Sequence, residues 1–338
     1  MTNARNSPLV SVVIPARNED ENIGTCLKSL LRQEGIAFEI YVVDDHSTDR
    51  TREIAQSYAG VIVLPAHELQ PGWRGKANAI WTAVPYLKGE WLLFTDADTT
   101  HLPGSLAASV QEALECKTDL LSYSPFQEAG TLGEKCVQPV VFGELNQVFN
   151  YAEVNDAAKA VAAANGQFML FRREAYLRIG GHETVKGSLL EDVDLAQLIK
   201  KNGRLRFRHA PDCIHTRMYR TFSQLEEGWT KNLSLLFPNA ASLAFRRICE
   251  FVAILGGTLG CALSLILAHA WMGILLLATA MVAFSNLMIR IRRAGFPVLA
   301  GVLGIGGLPI FVYLLARSYR AFHVSHEINW RGRTYKNV

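Results

Sequence analysis

Trp91-Leu92-Leu93-Phe94-Thr95-Asp96-Ala97-Asp98 is an apolar run that ends abruptly in two carboxylates separated by one small residue. Consecutive apolar residues bounded by Gly89 and by polar residues predict a strand buried on both faces of a parallel sheet. The acids then sit at its carboxyl end, the edge where the loops of an open α/β sheet converge on a ligand crevice. On an extended backbone Asp96 and Asp98 point to the same side, and Ala97 adds no bulk between them. Such a pair suits a hard divalent cation, Mg²⁺ or Mn²⁺, which commonly takes one or two carboxylates and completes its shell with substrate phosphates. An isolated Asp-Ala-Asp is more often a solvated turn, so the rest of the chain decides.

Upstream, residues 9–14 form a first strand with Pro15-Ala16-Arg17-Asn18-Glu19 as its exit. A helix over 21–33 places Ile23, Leu27, Leu30 and Leu31 on one face. Residues 38–43 form a second strand that ends in Asp44-Asp45, and Ser47 or Thr48 is placed to cap the helix after it. Strands at 61–64 and 91–95 follow. Strands separated by helical segments imply βαβ units and a doubly wound parallel sheet. Asp45 beside Asp96 and Asp98 at one sheet edge fits a nucleotide, with base and ribose near Asp45 and Arg17 and diphosphate near the metal. No G-x-G-x-x-G or G-x-x-x-x-G-K-[ST] is present, which disfavours dinucleotide and P-loop chemistry.

Between these strands lies Pro71-Gly72-Trp73-Arg74-Gly75-Lys76, entering a helix over 77–84. A cation at a helix entrance opposes the dipole, and a bound phosphate would explain Lys76 there. Beyond Asp98 the pattern predicts a helix at 103–116, a strand at 120–124 and an amphipathic helix at 137–149, expected to pack on the sheet rather than lie on a bilayer. A strand over 164–173 is entered through Gly166, which permits close approach to a ligand. Glu191-Asp192-Val193-Asp194 opens a helix that ends in Lys200 and Lys201, with Gly203 as its stop. Asp192, ionised with help from the helix amino end, can accept a proton from an attacking hydroxyl. Arg217 and Arg220, three apart, suit a departing diphosphate. Trp229 and Lys231 precede the apolar region and read equally as acceptor contacts or as interfacial anchors.

The 338 residues carry a formal charge of only +3, which argues against a nucleic-acid partner. The cysteines, six in number, form no C-x-x-C pair, so reduced thiols in a cytosol-facing domain are expected. The run from Leu9 to Ile14 is too short for a signal peptide. Three divisions follow: a catalytic domain over 1–238, a membrane region over 239–316 and a basic tail over 317–338. Runs at 251–268 and 271–289 approach the roughly 20 residues a spanning helix needs. A third, at 296–316, contains Gly306, Gly307 and Pro309 and is expected to break there and re-enter, which keeps the basic tail on the cytoplasmic side.

Taken together, these motifs resemble the family 2 glycosyltransferases, inverting enzymes of the GT-A fold. The resemblance rests on Val13-Ile14-Pro15-Ala16-Arg17-Asn18-Glu19, Asp44-Asp45-His46-Ser47-Thr48-Asp49, Asp96-Ala97-Asp98, Gly166-Gln167-Phe168 and Glu191-Asp192, and covers residues 10–232. The 71–76 loop, Arg217-Met218-Tyr219-Arg220, Gly228-Trp229-Thr230-Lys231 and Trp330-Arg331-Gly332-Arg333-Thr334-Tyr335 look most like the membrane-bound subgroup of hopene-associated, carotenoid (diaponeurosporenoate) and ceramide glycosyltransferases. The resemblance implies an α/β mixed, Rossmann-like sheet flanked by helices and followed by transmembrane helices in a multi-pass protein of the cell (inner) membrane. It implies a nucleotide-sugar donor, a UDP-sugar first, contacted by Pro15, Arg17, Glu19, Asp45, Lys76, Asp96, Gly166, Gln167, Glu191, Arg217 and Arg220. Asp98, with Asp96, would hold the metal, Asp192 would act as base, and a membrane lipid would accept the sugar on a hydroxyl or carboxyl. The Q-x-x-R-W motif of processive synthases is absent, so one sugar per acceptor is expected. A polyprenyl-phosphate glycosyltransferase is the alternative. A sugar nucleotidyltransferase is a second, but it would need a Gly-rich basic loop where Pro15-Ala16-Arg17-Asn18 stands.

Overall fold

The computed structural model describes residues 9–330 and 332–336; Arg331 of the terminal motif lies outside them. The chain folds as two compact units. The first comprises the chain up to Glu128 together with Tyr151–Met218, and the second Ala129–Asn150 together with the chain from Tyr219 onward.

In the first unit the strands are β1 (Val10–Ala16), β2 (Phe38–Asp44), β3 (Val61–Pro65), β4 (Trp91–Phe94), β5 (Thr99–His101), β6 (Leu120–Ser124), β7 (Phe126–Gln127), β8 (Met169–Arg172), β9 (Leu205–His209) and β10 (Ile214–Thr216). Seven of them form one sheet in the order β3-β2-β1-β4-β8-β6-β9. The β3-β2-β1-β4 half is parallel, as alternation with helices predicts, and β8 runs antiparallel between β4 and β6. The sheet is therefore mixed. β4 lies between β1 and β8, and its four residues are buried, because only an uninterrupted apolar run can have both faces covered. The helix Ile23–Leu31 covers the sheet with Ile23, Cys26, Leu27 and Leu30. A smaller sheet, β5-β10-β7, pairs Thr99 with Thr216 beside the exit of β4. Register aligns the strand ends: Ala16 pairs with Asp44, and Val13 with Phe94. The acids after β2 and β4 thus leave from one edge.

The exits of β1 and β2 are tied together by side chains. Asn18 and His46 adopt left-handed φ values of 53° and 57°, a conformation that short polar residues tolerate best. The Thr48 N–H donates to Asn18 Oδ1 at 2.9 Å, and the Asn18 N–H to Ser47 Oγ at 3.1 Å. Ser47 and Thr48 therefore bridge loops instead of capping a helix. Asp49 accepts from the Thr51 N–H at the start of the helix Thr51–Gln56.

The second unit contains the helices Leu132–Val148, Phe222–Leu236, Ala240–Ile266, Ala270–Arg293 and Val298–Arg320, and a hairpin of β11 (Glu327–Trp330) and β12 (Arg333–Lys336). The helix Leu132–Val148 begins with a capping box of Thr131 and Glu134. Its amphipathic pattern led one to expect packing on the sheet, but it groups with the C-terminal helices instead. It lies along the third apolar helix, where Gly304 faces Val140 and Gly307 faces the Cys136 carbonyl. Both it and Phe222–Leu236 group with the C-terminal helices, so the grouping differs from a linear boundary at 238. Hydropathy along the chain could not register that a glycine seam receives an earlier helix.

Three helices, Ala240–Ile266, Ala270–Arg293 and Val298–Ser325, are long and apolar enough to cross a membrane. The third runs unbroken through Pro309, so the expected interruption at Gly306–Pro309 is absent. Gly301, Gly304 and Gly307 serve close packing. Protein covers 44% of its apolar stretch, against 17% for each of the other two.

A Cβ at Gly307 would collide with the Cys136 carbonyl, whereas one at Gly306 meets nothing within 4 Å. Gly307→Ala is expected to lose about 1–3 kcal/mol by overpacking despite its better helix propensity. Gly306→Ala should be neutral or stabilising, and thermal unfolding of the two variants in one detergent compares them.

Candidate active site

The edge predicted to face the nucleotide is built from the stitched exits of β1 and β2. Pro15 pairs with Val43 just past the last β1 residue paired with β4, where a strand can spare an N–H. Arg17 Nη1 donates to the Asp45 carbonyl at 2.6 Å and the His46 carbonyl at 3.3 Å, which joins the two predicted nucleotide residues directly. The Asp45 side chain lies 3.5 Å from His46 Nδ1. Glu19 accepts from Asn22 Nδ2 at 2.8 Å at the head of the first helix.

At the exit of β4 the structure brings together residues from four separate stretches. Lys76, the second residue of the helix Gly75–Ala83, places its ammonium 2.8 Å from Asp96 Oδ1 and 3.1 Å from Glu191 Oε1. These carboxylates supply the anionic partner that its position at a helix entrance requires. Burial opposes its charge, but Asp96, Glu191 and Asp192 outweigh burial and hold its pKa above that of an ordinary lysine. Asp192 follows Glu191 at the first turn of the helix Glu191–Asn202. Its Oδ2 accepts the Gly166 N–H at 2.9 Å, and its Oδ1 the Val193 N–H at 2.9 Å. The helix end does not keep Asp192 at an ordinary carboxylate pKa: burial, reinforced by Glu191, pushes it up to about 6 against the lowering pull of Lys76 and the two N–H groups.

Gly166 sits at the centre of this group. A Cβ there would lie 2.6 Å from Lys76 Nζ, 3.5 Å from Asp192 Oδ2 and 3.7 Å from Glu191 Oε1. Gln167 is buried as a tie between strands: its Nε2 donates to Thr216 Oγ1 at 3.0 Å, and its carbonyl accepts from Thr95 Oγ1 at 2.7 Å. Arg217 follows β10 and donates its backbone N–H to the Asp98 carbonyl at 3.4 Å, which ties that stretch of chain to the acid pair. The Trp73 loop docks on the segment before the Asp192 helix, with the Arg74 N–H bonded to the Lys186 carbonyl at 2.7 Å and Lys186 over the Trp73 ring.

Arg220, Trp229 and Lys231 belong to the second unit. The Arg220 N–H donates to Gln224 Oε1 ahead of the helix Phe222–Leu236. Trp229 is only 2% exposed and packs between Phe142 and Tyr219, so it is not an interfacial anchor. Sequence reasoning passed over His182, a wholly buried neutral ring set edge-on to Phe94, whose pKa burial lowers to about 3. Its spacing carries no motif.

Among the described residues no cluster of three or more His, Cys, Asp or Glu could cage a metal. Asp96 and Asp98 are hard oxygen donors, and Lys76 already holds one Asp96 oxygen. The donor set fits a cation whose shell substrate phosphates complete, and does not fit a dedicated protein site.

The mixed sheet with an acid pair at the exit of its central strand is the arrangement of the GT-A fold. The model of glycosyl transferase family 2 matches residues 11–180, half of the chain, and the protein belongs to that family. Over 339 aligned residues it is 26% identical to the 4,4'-diaponeurosporenoate glycosyltransferase of Staphylococcus aureus, covering 98% of this chain and 89% of that one. The mannosyltransferase PcManGT of Pyrobaculum calidifontis, solved with GDP-Man and Mn²⁺, shares the fold at TM-score 0.52 and 19% identity, over 94% of this chain and 87% of that one. S. aureus TarS 1-349 with UDP-GlcNAc aligns at TM-score 0.46 and 15% identity over 96% and 95%.

Lys76→Met removes the cation shared by Asp96, Glu191 and Asp192. The Asp192 pKa should then rise by about one unit, with a stability loss of about 1–3 kcal/mol. The pH profile of sugar transfer, read beside thermal unfolding, measures both.

Proposed function

We propose that this glycosyltransferase moves one sugar, with inversion, from a nucleoside-diphosphate donor, a UDP-sugar first, to a hydroxyl or carboxyl of a membrane lipid. The observation that carries this reading is the Asp192 carboxylate, set near pKa 6 and linked through Glu191 and Lys76 to Asp96 at the donor edge. A base with that pKa is about ten-fold more ionised than protonated at pH 7, close to the best compromise for proton abstraction. Asp192 takes the proton of the acceptor hydroxyl as its oxygen bonds the anomeric carbon and the bond to the diphosphate breaks. An acceptor carboxylate, already ionised, would need no such base.

Arg17 and Asp45 orient the nucleotide, and Lys76 and Arg217 bring positive charge to the diphosphate. Asp96 and Asp98 would hold Mg²⁺ or Mn²⁺, which when bound offsets the charge of the departing diphosphate. Mn²⁺ beside GDP-Man in PcManGT supports this choice. The carotenoid-acid acceptor named for the S. aureus relative supports a lipid acceptor, as do the membrane-length helices.

The placement we favour is a hairpin of Ala240–Ile266 and Ala270–Arg293 in the cell membrane, with the catalytic unit in the cytoplasm. Arg246 and Arg247 near the start of the hairpin and Arg290, Arg292 and Arg293 at its end support that orientation. The third helix rests along the interface: Arg317 near its end pairs with Glu226 at 2.9 Å, and its flanks are covered by helices that carry charge.

Asp192→Asn should lower transfer to a hydroxyl lipid by about 10²–10⁴-fold while nucleotide binding persists; wild-type turnover would remove the base. In the wild type kcat/KM should fall as pH drops below about 6, because the base is lost by protonation. Label from radiolabelled nucleotide sugar should enter a lipid extract; transfer to a soluble acceptor alone would exclude the lipid reading. Chelation should stop transfer and Mn²⁺ or Mg²⁺ restore it. In intact cells an impermeant maleimide should reach His269→Cys but not Ser325→Cys in a chain with Cys249 replaced; the reverse pattern inverts the topology.

A further inference from the structure

Within the second unit, the start of the first membrane helix, the end of the second and the helix Leu132–Val148 enclose a cleft of about 330 Å³. Four arginines line it, Arg246, Arg247, Arg290 and Arg293. Two of them are clamped: Arg290 Nε lies 3.0 Å from Glu144 Oε1, and both Arg247 and Arg290 bond Glu250. Arg247 and Arg290 are 8% and 9% exposed, so this is a built network of buried charges. Its carboxylates are already shared between them. Arg246 and Arg293 are exposed, and neither makes an ion pair or hydrogen bond among the described residues. Four guanidinium charges against two carboxylates leave a net excess of positive charge at the cleft. Gln147 and Asn286 add neutral amides to its wall.

We infer that this cleft binds the phosphate of an anionic phospholipid. Guanidinium forks match phosphate oxygens, and two exposed forks beside a fixed pair offer a phosphodiester more than one such partner. The cleft opens where two membrane helices pass from apolar to charged sequence, the depth of a headgroup. Basic pockets between membrane helices at the cytoplasmic surface take anionic headgroups for this reason. The acyl chains would lie along the exposed apolar faces of Ala240–Ile266 and Ala270–Arg293. The inference rests on placement of the hairpin in a bilayer and not on the reaction. Its test reads binding without sugar transfer, so the two can fail separately.

The full chain, in nanodiscs containing phosphatidylglycerol and phosphatidylcholine in equal amounts, is extracted and its retained lipid counted by native mass spectrometry. Wild type should retain phosphatidylglycerol at least ten-fold over phosphatidylcholine, and 10 mM inorganic phosphate should not displace it. Arg246→Ala/Arg293→Ala should lose that preference, as should Asn286→Asp, which adds a negative charge without touching the buried network. Arg246→Lys/Arg293→Lys should keep most of it, and Arg292→Ala, outside the cleft, all of it. Thermal unfolding in neutral detergent verifies that each variant is folded. Equal retention of both lipids by wild type, unchanged preference in the folded alanine pair, or displacement by inorganic phosphate would each overturn the inference, the last by assigning the cleft to a free anion.

Discussion

A single ammonium group holds the catalytic unit's chemistry in place. Lys76 lies between Asp96 at the end of β4 and Glu191 at the head of the Asp192 helix, so elements 95 residues apart in sequence share one counter-ion. Three carboxylates near one another would repel without it. With it, Asp96 and Glu191 share one ammonium, and Asp192 reaches about 6. Gly166 is a condition of the arrangement, because its missing side chain leaves the room that the ammonium fills. The balance is electrostatic and local, and two strands of opposite direction deliver its parts: β4 presents the acids, and the chain entering β8 brings Gly166.

The fold was legible where periodicity and burial agree. An apolar run such as Trp91–Phe94 has few alternatives to a central strand, and the helix Ile23–Leu31 buries the face that its spacing marked. The reversal at β8 was not legible, because a short buried strand reads alike in either direction. The destination of Leu132–Val148 was hidden for a related reason. Its apolar stripe says that it must be covered and does not say by what; the covering surface is a glycine seam more than 150 residues away in sequence.

The site was legible in kind and less so in role. Lys76 was singled out for sitting against a helix dipole, and the anions that relieve it are carboxylates of the protein itself. Gln167, expected at the ligand, braces β4 against β10. Trp229 was read from its place before an apolar region, yet its ring is core. The buried network of Glu144, Arg247, Glu250 and Arg290 left no trace in any motif, since its members come from three helices and its arginines double as topology signals.

The turn between Ala240–Ile266 and Ala270–Arg293 spans only residues 267–269, closed by Ala268 at φ 58° and by the His269 N–H on the Ser264 carbonyl. In the placement proposed above, so short a turn would offer the outer face of the membrane only residues 267–269 of this hairpin. That would be too little for an antibody to recognise, a protease to cut or a partner to grip. Whatever regulates or recruits such an enzyme would then have to approach from the inner leaflet or through the lipid itself.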